Sequence, residues 1–378
     1  MGGVTQQPWG NQSGRGPWGQ RPPQGNPYGF PGPSGFSGWG PPTQQRGLRP
    51  SPYGGFGPQL GGPAFGGPGG RRPPRRRRSP LRGLMMAAVV VGLVLMAGTV
   101  TSNVSSPPPS TTYENEDYRV PPPDQNPPPL PQPETYEEAE TLLTDNPFYG
   151  QTTPTPVRCA SSPINVATAS DSQLKSHFEG LMECLVRVWQ PPVSAAQFEV
   201  VRPTVTIYGR EITTKCGKSG VNAFYCGADQ QVYYSRLLDD SVPVVAQDKW
   251  AADVVMAHEF GHALQARTAI LISSSALSQQ SGSESTSLDF SRRLETQADC
   301  LSGMFIRAVQ DSIGVQQSDI PGILDVYNAV GDDTLSGQRN IEGNHGLGRS
   351  REYWGEAGLG TNEVGRCNTY TAPARLVR

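Results

Sequence analysis

The sequence predicts an α+β body, with a small antiparallel sheet and a mainly helical remainder, preceded by a disordered tail and one transmembrane helix. Three observations predict this. Composition changes abruptly along the 378 residues, one uncharged apolar run follows a polar head, and regular apolar periodicity appears only within 146–378.

The head, residues 1–82, holds no Asp, Glu or Lys but eleven Arg, whereas the remainder holds 20 Lys+Arg against 33 Asp+Glu. The formal net charge of -2 is therefore a basic head balanced by an acidic body. Such asymmetry suggests that the two parts face different surroundings. Residues 1–70 are Gly, Pro, Gln and Ser with spaced aromatics, and Pro8-Trp9-Gly10 recurs as Pro17-Trp18-Gly19. A segment like this buries too little apolar surface to offset its ordering entropy, so 1–82 reads as a disordered cytosolic tail.

Arg71, Arg72, Arg75, Arg76, Arg77, Arg78 and Arg82 form a basic cluster. Nucleic-acid binding is one reading of such a cluster, and the adjoining apolar run argues against it. Leu84 to Val100 is an uncharged apolar run of 17 residues, which is the short end of a bilayer-spanning helix. A transmembrane helix is therefore expected within 83–102. The flanking arginines suit anionic headgroups and orient the chain with its N-terminus cytoplasmic and its body exported. A cleaved secretory signal would start within the first few residues, so the run reads as an uncleaved single-pass anchor. Residues 103–145 carry Pro107-Pro108-Pro109, Pro121-Pro122-Pro123 and Pro127-Pro128-Pro129. At about 3.1 Å per residue they predict an extended stalk of about 100 Å.

The folded body spans 146–378. It contains all six cysteines, none of them in a Cys-x-x-Cys unit, and an exported body would oxidise them. Sequence neighbours suggest Cys159–Cys184, Cys216–Cys226 and Cys300–Cys367. Leu174 to Trp189 has helical apolar spacing, and Thr204 to Tyr208 alternates as a strand. Phe224-Tyr225 and Val232-Tyr233-Tyr234 flank Gly227-Ala228-Asp229-Gln230 as a hairpin. Asp248 to Ala266 reads as a helix with Trp250, Val254, Ala257 and Gly261 on its packing stripe, and a second helix covers about Arg292 to Gln310.

The chemistry sits on the first of these two helices, in His258-Glu259-Phe260-Gly261-His262. Residues four apart share one helical face, so both imidazoles can reach one ion, with Glu259 beside it. The chain has only four histidines, which makes this spacing improbable by chance. Zinc needs a third protein ligand and an open position. A third His six residues on, preceded by a Gly, is excluded because Thr268 and Gln265 stand there. Glu295, with Asp299 on the same face, offers the other solution: Glu295 as ligand and Asp299 as acceptor for the far nitrogen of a ligating His. Read alone, these two acids would be a solvated helix face. One catalytic zinc ion, Zn2+, would polarise a peptide carbonyl and acidify water. Glu259 would serve as general base, and His345 would donate to the oxyanion, with Tyr225 and Tyr233 as alternatives.

Residues 146–378 resemble the putative neutral zinc metallopeptidase family of bacteria. The segments that carry the resemblance occur in order. They are Cys216-Gly217, Ala223-Phe224-Tyr225-Cys226 with Asp229, Val232-Tyr233, then His258-Glu259-Phe260-Gly261-His262 with Gln265 and Glu295-Thr296-Gln297-Ala298-Asp299-Cys300. Gly331-Asp332-Asp333, His345-Gly346 with Arg349, Arg351 and Trp354, and Cys367 complete the order. The family typically has Leu where Thr296 stands. The stretch after His345-Gly346 departs further, and it gives no role to Arg349 or Arg351. The resemblance implies a zincin-like fold, often on a single-pass anchor, with His258, His262 and Glu295 as ligands, Glu259 as base and a peptide or protein as substrate. The alternative is a non-catalytic, zinc-stapled extracytoplasmic binding or scaffold protein. A structural site would usually close all four positions with Cys and His, which weighs against that alternative. No feature of the sequence speaks to oligomeric state.

Overall fold

A computed structural model describes residues 112–339 and 341–378. The expected tail (1–82), transmembrane helix (83–102) and stalk as far as residue 111 lie outside the described residues. Among the described residues no helix is long and apolar enough to cross a membrane.

The body is mainly helical with a small sheet. In chain order it comprises α1 (Tyr136–Thr144), α2 (Asp171–Ala195), β1 (Val205–Tyr208), β2 (Ile212–Thr214), β3 (Gly217–Ser219), β4 (Ala223–Cys226) and β5 (Gln231–Ser235). The short helices α3 (Leu238–Ser241) and α4 (Val244–Gln247) lead into α5 (Ala251–Arg267) and α6 (Ile270–Ser281). The long α7 (Glu284–Ile313), then α8 (Ile320–Ala329), α9 (Asp332–Ser336) and α10 (Gly348–Leu359) complete the set.

The expected hairpin forms, with Cys226 paired to Gln231 across the four residues 227–230. The sheet as a whole departs from expectation. Its order is β1-β5-β4, and β1 pairs with β5 in parallel, Val205 opposite Val232. It is therefore mixed, not antiparallel. Alternation within a strand determines which face is buried but not the direction of the partner. Here β1 lies beyond the hairpin, reached through the separate β2–β3 ribbon.

Helix α2 begins at a capping box in which Ser170 and Gln173 exchange hydrogen bonds. It runs past the expected end at Trp189, through Pro191 and Pro192, because Trp189, Pro192 and Val193 are buried against the core. Pro191 has no N–H to give the carbonyl of Arg187. That carbonyl accepts instead from Asn115 Nδ2 at 2.7 Å.

Asn115 belongs to the segment expected to be a free stalk. From Tyr113 onward this segment is docked on the body. Glu114 N donates to Pro156 O at 2.8 Å, and Asp124 N donates to Arg202 O at 2.9 Å. Arg187 Nη1 donates to the carbonyls of Asn115, Glu116 and Tyr118, and Arg267 Nη1 to that of Pro128. The physical reason lies in the prolines. A proline-rich strand has few donors of its own, so its carbonyls are acceptors for arginine and glutamine side chains of the body. Tyr118, Val120 and Leu130 add apolar contact with the core.

The helix carrying the His-Glu pair has no polar face. All 17 residues of α5 are buried, so the expected single stripe is replaced by packing on every side. It contacts α2, β4, α6, α7 and α8. The closest approach is to α7: a Cβ on Gly261 would lie 3.0 Å from Ala298 Cα. Ser302 Oγ on α7 donates to Val254 O on α5 at 3.0 Å, and Tyr327 OH on α8 donates to Ser302 Oγ at 3.0 Å.

All three sequence-neighbour cysteine pairs are disulfides: Cys159–Cys184, Cys216–Cys226 and Cys300–Cys367. The last joins α7 to the turn Val364–Cys367 across a sequence separation of 67, and both of its residues are fully buried. Replacing both of its cysteines by alanine is expected to lower stability by about 2–5 kcal/mol. Denaturant unfolding would measure this, and an unchanged midpoint would contradict it.

Candidate active site

The close contact between α5 and α7 brings the candidate residues together. His258 and His262 lie on successive turns of α5, and Glu295 and Asp299 on successive turns of α7. One ligand atom each from His258, His262 and Glu295 lie within 4.8 Å of one another. Glu295 Oε2 is 3.4 Å from His258 Nε2, and Oε1 is 3.6 Å from His262 Nε2. None of the three is more than 1% exposed.

The far nitrogens of both rings are engaged. His258 Nδ1 is 2.8 Å from Asp299 Oδ1, and His262 Nδ1 is 2.8 Å from Gln265 Oε1. Both partners are acceptors, so each Nδ1 carries a proton and Nε2 is the ring nitrogen left facing the shared space. Gln265 is itself fixed, since its Nε2 donates to Leu294 O at 2.8 Å and to Gln297 Oε1 at 3.0 Å.

His262 Nε2 and both oxygens of Glu295 are buried and take part in no hydrogen bond. Buried acceptors that accept no hydrogen bond are costly unless a cation meets them. Two imidazoles and one carboxylate are a donor set that suits zinc and leaves a position open. The residues present therefore fit a zinc ion.

The protein's own groups act on the two rings in opposite directions. Burial pushes His262 down to about 4. Burial also opposes the His258 cation, but the Asp299 carboxylate beside it, aided by Glu295, pushes the group up to about 9. Burial works against the Glu295 carboxylate too. His262, His258, His345 and Arg351 nevertheless hold it well below the usual range.

Glu259 is fully buried beside the ligands. Its Oε2 accepts the backbone N–H of Tyr225, on the edge strand β4, at 2.8 Å, and its Oε1 has no partner. Burial, reinforced by the Glu295 charge and opposed by His258 and that N–H, raises its pKa to about 7.

His345 is buried in the turn before α10, near enough to Glu295 for their charges to interact. Asp332, the first residue of α9, holds it. Oδ1 is 3.1 Å from His345 Nδ1, and Oδ2 accepts the backbone N–H groups of His345 and Gly346. Burial lowers the His345 pKa, but the Asp332 hydrogen bond and the Glu295 charge leave it raised. Of the alternative donors, the Tyr233 phenol is committed to Asp229 Oδ2 at 2.8 Å. The remaining histidine, His177, pairs with Asp253 at 2.6 Å.

Sequence reasoning gave no role to three partners named within the family resemblance, Gln265, Asp332 and Arg351. Gln265 was legible in principle, because i+3 from His262 is the same helical face. Asp332 and Arg351 were not, since no spacing links them to α5 or α7. Arg351 is fully buried and donates Nε and Nη2 to the two oxygens of Asp299.

Two histidines from α5 and a glutamate from α7, with Glu259 beside them, form a two-histidine, one-carboxylate group that could hold a metal ion. The chain belongs to the putative neutral zinc metallopeptidase family, whose profile matches residues 146–370. It is similar to the uncharacterized protein YpfJ of Escherichia coli (strain K12), with 29% identity over 180 residues, 45% of this chain and 62% of that protein. It is also similar to the uncharacterized protein Rv2575 of Mycobacterium tuberculosis (strain H37Rv), with 28% identity over 207 residues, 49% of this chain and 67% of that protein. The chain thus spans about three fifths of the length of the E. coli relative. No solved structure matches it.

Proposed function

We propose that the chain is a zinc-dependent peptidase, with His258, His262 and Glu295 as ligands, Asp299 and Gln265 fixing the two imidazoles, and Glu259 as general base. The observation that carries this reading is the convergence of one donor atom each from His258, His262 and Glu295 next to Glu259, whose Oε1 accepts no hydrogen bond. Zinc bound there supplies Lewis acidity toward the scissile carbonyl and toward water. Glu259 Oε1 takes the proton of the attacking water as the new C–O bond forms, and returns it to the amine as the C–N bond breaks. His345, held by Asp332 through Nδ1, donates to the developing oxyanion.

On the same reading the body stands outside the cytoplasm, on a single-pass anchor within 83–102. Three disulfides support an oxidising compartment. Protease added to intact cells is expected to remove the body, and a protected body would reverse the topology.

The deciding experiment uses the purified full-length chain. It is expected to bind one zinc per chain, to cleave members of a peptide library, and to lose and regain cleavage on chelation and zinc return. Stoichiometric zinc without cleavage of any peptide would favour the stapled scaffold, and a chain that binds no zinc would sink both readings.

A further inference from the structure

Arg351 is among the largest fully buried side chains of the described residues, and it lies on α10, far in sequence from the metal-site helices. A buried guanidinium is costly unless its donors and its charge are both answered. Here Nε donates to Asp299 Oδ2 at 2.8 Å, Nη2 to Asp299 Oδ1 at 2.9 Å, and Nη1 to Val330 O at 3.2 Å. The first two form a bidentate fork on one carboxylate.

Nη2 also reaches the candidate ligands. It lies 3.5 Å from Glu295 Oε2, and 3.4 Å and 3.5 Å from the two ring nitrogens of His258. Near-equal approach to both nitrogens puts the guanidinium edge over the imidazole face and not in its plane. One side chain therefore touches both His258 and Glu295 and clamps the carboxylate that orients His258.

Resting on the zinc reading of the site, we propose that Arg351 is a positioning residue that locks Asp299, His258 and Glu295 into metal-binding geometry. Asp299 Oδ1 must face His258 Nδ1 for the imidazole to present Nε2. A carboxylate held only by that ring could rotate about its own bond, whereas the planar fork sets its plane. Glu295 and Asp299 are also two acids one turn apart on a buried helix, and the guanidinium between them offsets their repulsion. The backbone makes this possible. α10 lies so close to α7 that a Cβ on Gly358 would run into the carbonyl of Cys300, one residue beyond Asp299. Lysine cannot replace the fork, because its single ammonium engages a carboxylate as a point charge.

The test compares the full-length parent with Arg351→Lys, Asp299→Asn and the double variant. Zinc affinity is measured by competition with a chromogenic chelator, and ligand geometry by the visible spectrum of the cobalt(II)-loaded chain. Arg351→Lys is expected to fold, to bind zinc roughly 10–100-fold more weakly, and to shift the cobalt bands. In the Asp299→Asn background the same change is expected to cost less than about tenfold, because the two residues act as one unit. Parent-like affinity and spectrum in Arg351→Lys, or fully additive losses in the double variant, would overturn the proposal. So would loss of the zinc-free fold in Arg351→Lys, which would make the residue a brace of the core. A parent that binds no zinc would instead bring down the metal centre itself, an outcome distinct from all of these.

Discussion

Replacing Glu259 by glutamine is expected to leave zinc bound and to lower kcat by roughly 10²–10⁴-fold. The amide keeps the volume and can still occupy the place of Oε2 near the Tyr225 N–H, 2.8 Å away in the parent. It cannot accept a proton. Metal binding is spared because the three converging donors belong to other residues. A base must be deprotonated to act, so activity is lost as pH falls through the pKa of Glu259. The protein's own groups put that value at about 7, chiefly by burial. A zinc ion bound beside it would stabilise the carboxylate, so the acid limb of the pH–rate profile is expected below 7. The glutamine variant is expected to lose that limb. A Glu259→Gln variant with parental kcat and full zinc would remove Glu259 from the mechanism.

Gly261→Val is expected to damage stability and the metal centre together. A Cβ at this position meets Ala298 Cα at 3.0 Å, Ala298 Cβ at 3.1 Å and Ala298 O at 3.2 Å. These are mainly backbone atoms of α7, so relief requires the helix to move. Ala298 lies between Glu295 and Asp299, and a shift of α7 carries both acids away from α5. Overpacking of this kind costs about 1–3 kcal/mol. Zinc affinity is expected to fall more than tenfold, as it would in Glu295→Ala, although no donor has been removed. Helix propensity alone argues the opposite sign, since alanine is favoured over glycine by about 1 kcal/mol in a helix interior. Gly261→Ala therefore discriminates: denaturant unfolding showing a gain in stability would mean that the approach of α7 does not control the site.

The legible part of the site is the part that helical geometry sets locally. His258 and His262 share a face because they are four apart, and Glu295 and Asp299 share one for the same reason. The hairpin around 227–230 was equally local, and the three disulfides join each cysteine to its neighbour in the order of the cysteines, over separations of 10 to 67 residues. The parallel pairing of β1 was not legible, because alternation says nothing of strand direction. The docking of residues 113–135 was not legible either. Proline-rich composition predicts extension, and only the arginines and glutamines of the body decide whether an extended strand lies free or bound.

The sequence by itself determined the helix that carries His258, Glu259 and His262, the carboxylate of Glu295 that faces it and the family to which the chain belongs. Periodicity and spacing carry that information within one or two turns of helix. Only the tertiary structure decided that α5 is buried on every side, that a glycine sets its distance from α7, and that Asp332 and Arg351 join the candidate site from α9 and α10. Those contacts span 13 residues for Asp332 and His345, and 52 for Asp299 and Arg351. They arise from how helices stack, and close packing between helices leaves no period in the sequence to read.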